Sequence, residues 1–209
     1  MANLITIARF PLLVIIVLLL FAAGVVPRLI SVPLLFLLIA MDSLDGMVAR
    51  ARGETSLLGS VLDIMADRTV ELVLWVVYAH LGLISVVIPL VYIGRGTVVD
   101  ALRNLHVRGG EAPFDAMRTR VGRWLVASPF MRTIYGVSKL VSFAGLATTH
   151  ALYAYAAREA IATEWAGKTL LLFNITSWIA LALCLARGLP VVVEAIPAIV
   201  DRERVGTRS

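Results

Sequence analysis

Apolar residues dominate five long stretches of this chain, 10–23, 29–41, 69–93, 140–157 and 169–186, and most polar residues gather between them. A bilayer core takes about 20 helical residues, and a helix can extend an apolar run past its polar ends. The pattern predicts six membrane-spanning helices, at 4–23, 29–50, 57–79, 83–104, 133–156 and 169–187. Backbone polar groups cannot stay unpaired in lipid, so these spans are expected as helices and not as open strands. The predicted fold class is all-α, a polytopic membrane protein. Residues 1–209 read as one integral-membrane domain, without a fixed-period repeat or a low-complexity linker.

The connections are short except for 105–132. Within that segment, "FDAMRTRVGRWLV" (114–126) sets Phe114, Met117, Val121, Trp124 and Leu125 at helical spacing with arginines between them. That is the pattern of a short interfacial helix, expected to anchor on headgroups, with guidance of anionic substrates as the alternative. The tail from Gly188 holds a further apolar run, which Pro190 and Pro197 make a poor seventh span.

Composition removes the soluble alternative. Of the 209 residues, 60% are hydrophobic and only 16% charged, far from the globular average. With the N-terminus inside, Arg50, Arg52, Arg103, Arg108, Arg118, Arg120, Arg123, Arg132, Arg187, Arg202, Arg204 and Arg208 fall on the cytoplasmic side. Only Arg28, Arg158 and Lys168 fall outside, a positive-inside asymmetry. It accounts for the net charge of +5 through contact with anionic headgroups, without nucleic acid. The first 24 residues, with Arg9, an apolar run and "FAAG", resemble a signal peptide, but the segment can itself serve as the first span. Cys184, the single cysteine, has no partner for an internal disulfide, and His80, His106 and His150 show no ligand spacing.

Four aspartates break the apolar pattern in "MDSLDGMVARARGETSLLGSVLDIMADR" (41–68). Asp42 and Asp45 are three apart, Asp63 and Asp67 four apart, so on helices each pair shares one face. The second and third helices, joined by a short loop, should be antiparallel, bringing the two pairs together. Four carboxylates in a partly desolvated pocket need a counter-charge. All-oxygen ligands favour Mg²⁺ or Mn²⁺, and four aspartates can hold two such ions for phosphoryl chemistry. The plainer alternative is structural: Asp42 as a cap, Asp45-Gly46 as a turn, and Asp63 and Asp67 paired with Arg50, Arg52 or Arg68. Against it, negative charge near a helix C-terminus opposes the macrodipole. The small residues Gly46, Ala49 and Gly59 allow close helix packing, and together with Arg50 they leave room for a nucleotide diphosphate.

Written out, the stretch is Asp42-x2-Asp45-Gly46-x2-Ala49-Arg50-x8-Gly59-x3-Asp63-x3-Asp67. It resembles the full signature of the CDP-alcohol phosphotransferase family, membrane enzymes of phospholipid synthesis. Eight specified residues at fixed spacing arise by chance at one start position with odds on the order of 10⁻¹⁰. The resemblance implies two divalent ions, Mg²⁺ or Mn²⁺, held by Asp42, Asp45, Asp63 and Asp67, with Asp67 also the general base. It implies a CDP site formed by Asp42, Gly46, Ala49, Arg50 and Gly59. The donor is expected to be CDP-diacylglycerol, the acceptor a polar alcohol and the leaving product CMP. The resemblance also implies a homodimer in a bacterial or archaeal plasma membrane, with the active site on the cytoplasmic side.

Further charges fall inside predicted spans: Arg95, Asp100 and Lys139. Arg95 and Arg103 are eight apart, on nearly one face, and with Lys139 and Arg132 they are expected to bind a phosphorylated acceptor. The alternative is that Asp100 pairs with one of them inside the bundle. "NLITIARF", with Asn3, Thr6 and Arg9, and "IGRGTVVDALR" are similar to segments of the family's phosphatidylglycerophosphate synthases, which points to glycerol 3-phosphate. Cardiolipin synthases share that opening. Gly96 stands where an acidic residue is usual, and Lys139 is single where two lysines are frequent, so inositol phosphate and other alcohols stay open. A prenyltransferase also binds a diphosphate through aspartates, but usually with its acidic motifs far apart in a longer chain. A divalent-cation transporter would need polar residues in both membrane halves.

Overall fold

The computed structural model describes the backbone over 2–52, 57–108, 120–157 and 160–206. Side chains are described over the same stretches except 2–3, 43–52, 103–108, 120–121, 123, 127, 160–162 and 195–206. Among the described residues all regular structure is helical: α1 (Ala2–Phe21), α2 (Val25–Arg52), α3 (Leu57–His80), α4 (Val87–Arg108), α5 (Arg120–Ala127), α6 (Pro129–Ala156) and α7 (Ala160–Gly206). Among the described residues, three stretches are long and apolar enough to cross a bilayer by length and composition: Leu4–Phe21, Val25–Asp42 and Thr163–Glu194. The protein is an all-α polytopic membrane protein.

Helix α1 shows how a chain that is apolar all round chooses its inner face. Its buried positions are Thr6, Arg9, Leu13, Ile16 and Leu20, a stripe at alternating three- and four-residue steps. Leu4, Ile7, Val14, Ile15, Leu18 and Phe21, equally apolar, are exposed and suited to lipid. Helix α1 packs against α2 and α3. The inner stripe of α2 is Ser31, Leu35 and Leu38, and the next position on it is Asp42. In α3 the stripe of Val70, Leu74 and Tyr78 is led, one turn earlier at each step, by Asp67 and Asp63. The polar residues of the site thus continue three packed stripes.

The chain divides into two compact units, Met1–Pro89 with Leu140–Ser177, and Leu90–Lys139 with Trp178–Ser209. In the first, Trp75 and Tyr78 of α3 meet the Phe143 ring of α6, at centroid distances of 4.6 and 6.1 Å. The Tyr78 hydroxyl donates to Phe143 O at 2.8 Å, which satisfies the one polar atom of a fully buried ring. His150 Nε2 lies 3.0 Å from Leu20 O, one of the last carbonyls of α1; a carbonyl only accepts, so Nε2 carries a proton. Gly145 packs so closely under Phe173 of α7 that a Cβ there would collide with the ring.

The turns are built by local chemistry. Gly82, at φ +71°, ends α3: Leu83 N–H donates to Tyr78 O and Gly82 N–H to Ala79 O, the two bonds of a Schellman cap. Ser85 then accepts from Val87 N–H, so α4 begins at Val87 and not near the expected 83. Helix α6 opens with Pro129 at its first position, where the missing N–H costs nothing. The interfacial segment expected at 114–126 is helical as α5 from Arg120 to Ala127, while 109–119 lie outside the described residues. The last span departs furthest from expectation. Helix α7 continues through Pro190 and Pro197 to Gly206, since each proline removes one hydrogen bond and the flanking turns carry the helix on.

Candidate active site

Arg9 is the centre of the first unit's polar cluster. It lies mid-turn on the inner stripe of α1 with a side chain only 3% exposed. Its Nη1 is 2.6 Å from Asp42 Oδ1 of α2 and 3.8 Å from Asp63 Oδ1 of α3, and its Nη2 donates to Asp67 Oδ1 at 3.2 Å. One guanidinium therefore joins three helices and three of the four expected metal ligands. The carboxylates are more open than the cation: the Asp42, Asp63 and Asp67 side chains are 38%, 53% and 59% exposed. The cation lies buried behind a row of acids that keep access from outside.

Among the plainer partners expected for these acids, Arg68 bonds Glu71 Oε2 through Nη1 at 3.1 Å, three residues along the same helix, with Glu71 buried, and Arg52 lies outside the described side chains. Arg50 lies outside the described side chains, as do Asp45, Gly46 and Ala49; their backbone belongs to α2. Gly59 is half-buried on α3, one turn before Asp63.

The donor set fits a hard divalent ion, because three carboxylates supply only oxygen and already converge on a place held by positive charge. Among the described residues, no group of three or more acidic, histidine or cysteine side chains forms a ready-made metal site.

The second unit holds the residues expected to bind the acceptor. Arg132, Tyr135 and Lys139 follow at three and four residues on one face of α6, and Lys139 Nζ lies 4.5 Å from the centre of the Tyr135 ring. The guanidinium of Arg187, from α7, lies 5.2 Å from the same ring, and its Nη2 donates to Val126 O at 3.4 Å. Arg95 of α4 lies along α7 at Gly188, where a Cβ would come within 2.5 Å of its Nε. That Nε is buried and makes no hydrogen bond. Arg132 is exposed, and the Arg103 side chain is outside those described.

Sequence reasoning missed two residues here. Arg9 was read as part of an opening motif and a leader-like segment, and Arg187 only as a cytoplasmic charge. The signal for both was the same one that marked Arg95 and Lys139, a cation within or beside an apolar run.

Against known proteins, the family model described as CDP-alcohol phosphatidyltransferase matches residues 1–201. No curated protein matches the chain.

Proposed function

The chain belongs to the CDP-alcohol phosphatidyltransferase family, transferases of substituted phosphate groups acting in membranes, and on that premise we propose that it transfers a phosphatidyl group from CDP-diacylglycerol to glycerol 3-phosphate. The observation that carries this reading is the convergence of Asp42, Asp63 and Asp67, from α2 and α3, on one buried cation of α1.

Asp42, Asp45, Asp63 and Asp67 would hold two divalent ions, Mg²⁺ or Mn²⁺, which when bound neutralise charge on the donor diphosphate and the departing CMP. Asp67 accepts the proton of the acceptor hydroxyl as its oxygen attacks the phosphorus bearing the lipid alcohol. The bond from that phosphorus to the CMP oxygen breaks, and CMP leaves with the electron pair. Gly46, Ala49 and Gly59 admit the nucleotide, and Arg50 holds the diphosphate.

Cations of α4, α6 and α7 support a phosphorylated acceptor: Arg95, Arg103, Arg132 and Lys139, with Arg187 added by its place over Tyr135. We read all six long helices as spans, with this machinery on the cytoplasmic side and the two compact units as one catalytic domain, since α4, α6 and α7 run through both. The prenyltransferase and transporter alternatives lose their footing with the family match.

The test is CMP release by purified protein given CDP-diacylglycerol and a panel of acceptors with Mg²⁺ or Mn²⁺. Glycerol 3-phosphate should give the fastest release. Faster release with inositol phosphate or serine overturns that acceptor, and no release with any acceptor overturns the donor.

A further inference from the structure

We propose that Arg9 is a resident counter-cation that competes with divalent ions for the aspartates, and so makes metal loading depend on the anionic donor. The inference rests on the metal-dependent reading above and concerns how that site is filled.

Three observations carry it. First, the guanidinium reaches Asp42, Asp63 and Asp67 at once while being 3% exposed, so it stands where a shared cation would be most strongly attracted. Second, each of the three described carboxylates already has an oxygen turned to Arg9, so an ion that takes those oxygens competes with the guanidinium for them. Third, Arg9 Nε is buried without a hydrogen-bond partner. A guanidinium fixed only for structure would be expected to have its donors satisfied; this one leaves its Nε unbonded and faces the acids through its two Nη atoms.

Charge balance gives the direction of the effect. Arg9 offsets one of the acids when no metal is bound and keeps the others from repelling each other across α1, α2 and α3. Two divalent ions would cancel all four aspartates, leaving Arg9 a buried cation without its counter-charge, which is costly. An anionic diphosphate restores the balance. Metal alone therefore binds against Arg9, while metal with the donor binds alongside it. Two ligands that each remove the other's penalty bind cooperatively.

The experiment measures Mn²⁺ binding to the full chain in detergent, from loss of the free-ion paramagnetic resonance signal, with and without CDP, together with the melting temperature in chelator. Arg9→Gln should bind Mn²⁺ on the order of tenfold more tightly without CDP, and CDP should then add much less to the affinity than it does for the native chain. It should also melt lower in chelator and gain more from added Mn²⁺. Arg9→Lys keeps the charge on a narrower head, so its affinity should fall between the two with the CDP effect retained; it carries the test where Arg9→Gln is not recovered folded. Equal or weaker Mn²⁺ binding by Arg9→Gln, or by Arg9→Lys in that case, overturns the proposal and leaves the metal site standing. Absence of Mn²⁺ binding by the native chain, with or without CDP, overturns both.

Discussion

The two polar regions of this molecule solve opposite charge problems. In the first compact unit three acids gather on one arginine, a concentration of carboxylates suited to cations. In the second, Arg187 and Lys139 both lie over one tyrosine ring and Arg95 lies along α7 at Gly188, a gathering of cations suited to an anion. On the proposed reading, a transferase that takes its group from a nucleotide-diphosphate donor and passes it to a phosphorylated alcohol, releasing CMP, needs both kinds of place. On that reading, the contrast assigns the donor to the signature aspartates and the choice of acceptor to another part of the chain.

Changes that break this contrast should rank accordingly. The largest effect is expected from Asp67→Asn, which keeps the shape but removes the base: turnover should fall by about 10³-fold. CDP-lipid binding, measured by equilibrium dialysis, should largely survive. Near-normal turnover would remove Asp67 from the base role.

In the second region, Lys139→Ala or Arg187→Ala should raise the acceptor KM by about tenfold to a hundredfold, the worth of a charge-assisted hydrogen bond. The KM for the CDP-lipid should stay near its native value. An equal rise in both would mean that the region does not distinguish acceptor from donor. Gly188→Ala is a milder probe of the same place: its Cβ forces the flexible Arg95 side chain to shift, so the acceptor KM should rise only a few-fold, about 1 kcal/mol or less.

Tyr78→Phe belongs to neither region and serves as a control. Losing the bond to Phe143 O should cost about 1 kcal/mol, seen as a lower melting temperature with unchanged KM values. A changed acceptor KM would show that packing of α3 on α6 reaches the site.

Much of this architecture was legible in the hydrophobic pattern. Six long helices and one short helix appear in the expected order, and Asp42, Asp63 and Asp67 do come together, because motif spacing and helix periodicity act locally. The inner face of α1 was not legible, since leucine and isoleucine on its lipid side look the same as those on its packed side. Arg9 as a partner of the aspartates was missed for a related reason. Arg50, Arg52 and Arg68 are near in sequence, whereas Arg9 is brought in by packing of α1 across α2 and α3, 58 residues away from Asp67. The length of α7 was misjudged because Pro190 and Pro197 were weighed as helix stops, when a long helix with apolar flanks tolerates each lost hydrogen bond.

The central claim is that the aspartates clustered on Arg9 form the donor site of a metal-dependent transfer. It is tested most directly by CMP release from CDP-diacylglycerol in chelator, followed by restoration with Mg²⁺ or Mn²⁺ in the native chain and in Asp63→Asn. The account predicts that chelation stops CMP release in the native chain, that either ion restores it, and that neither restores it in the variant. Release that continues in chelator, or that returns equally in Asp63→Asn, would contradict it.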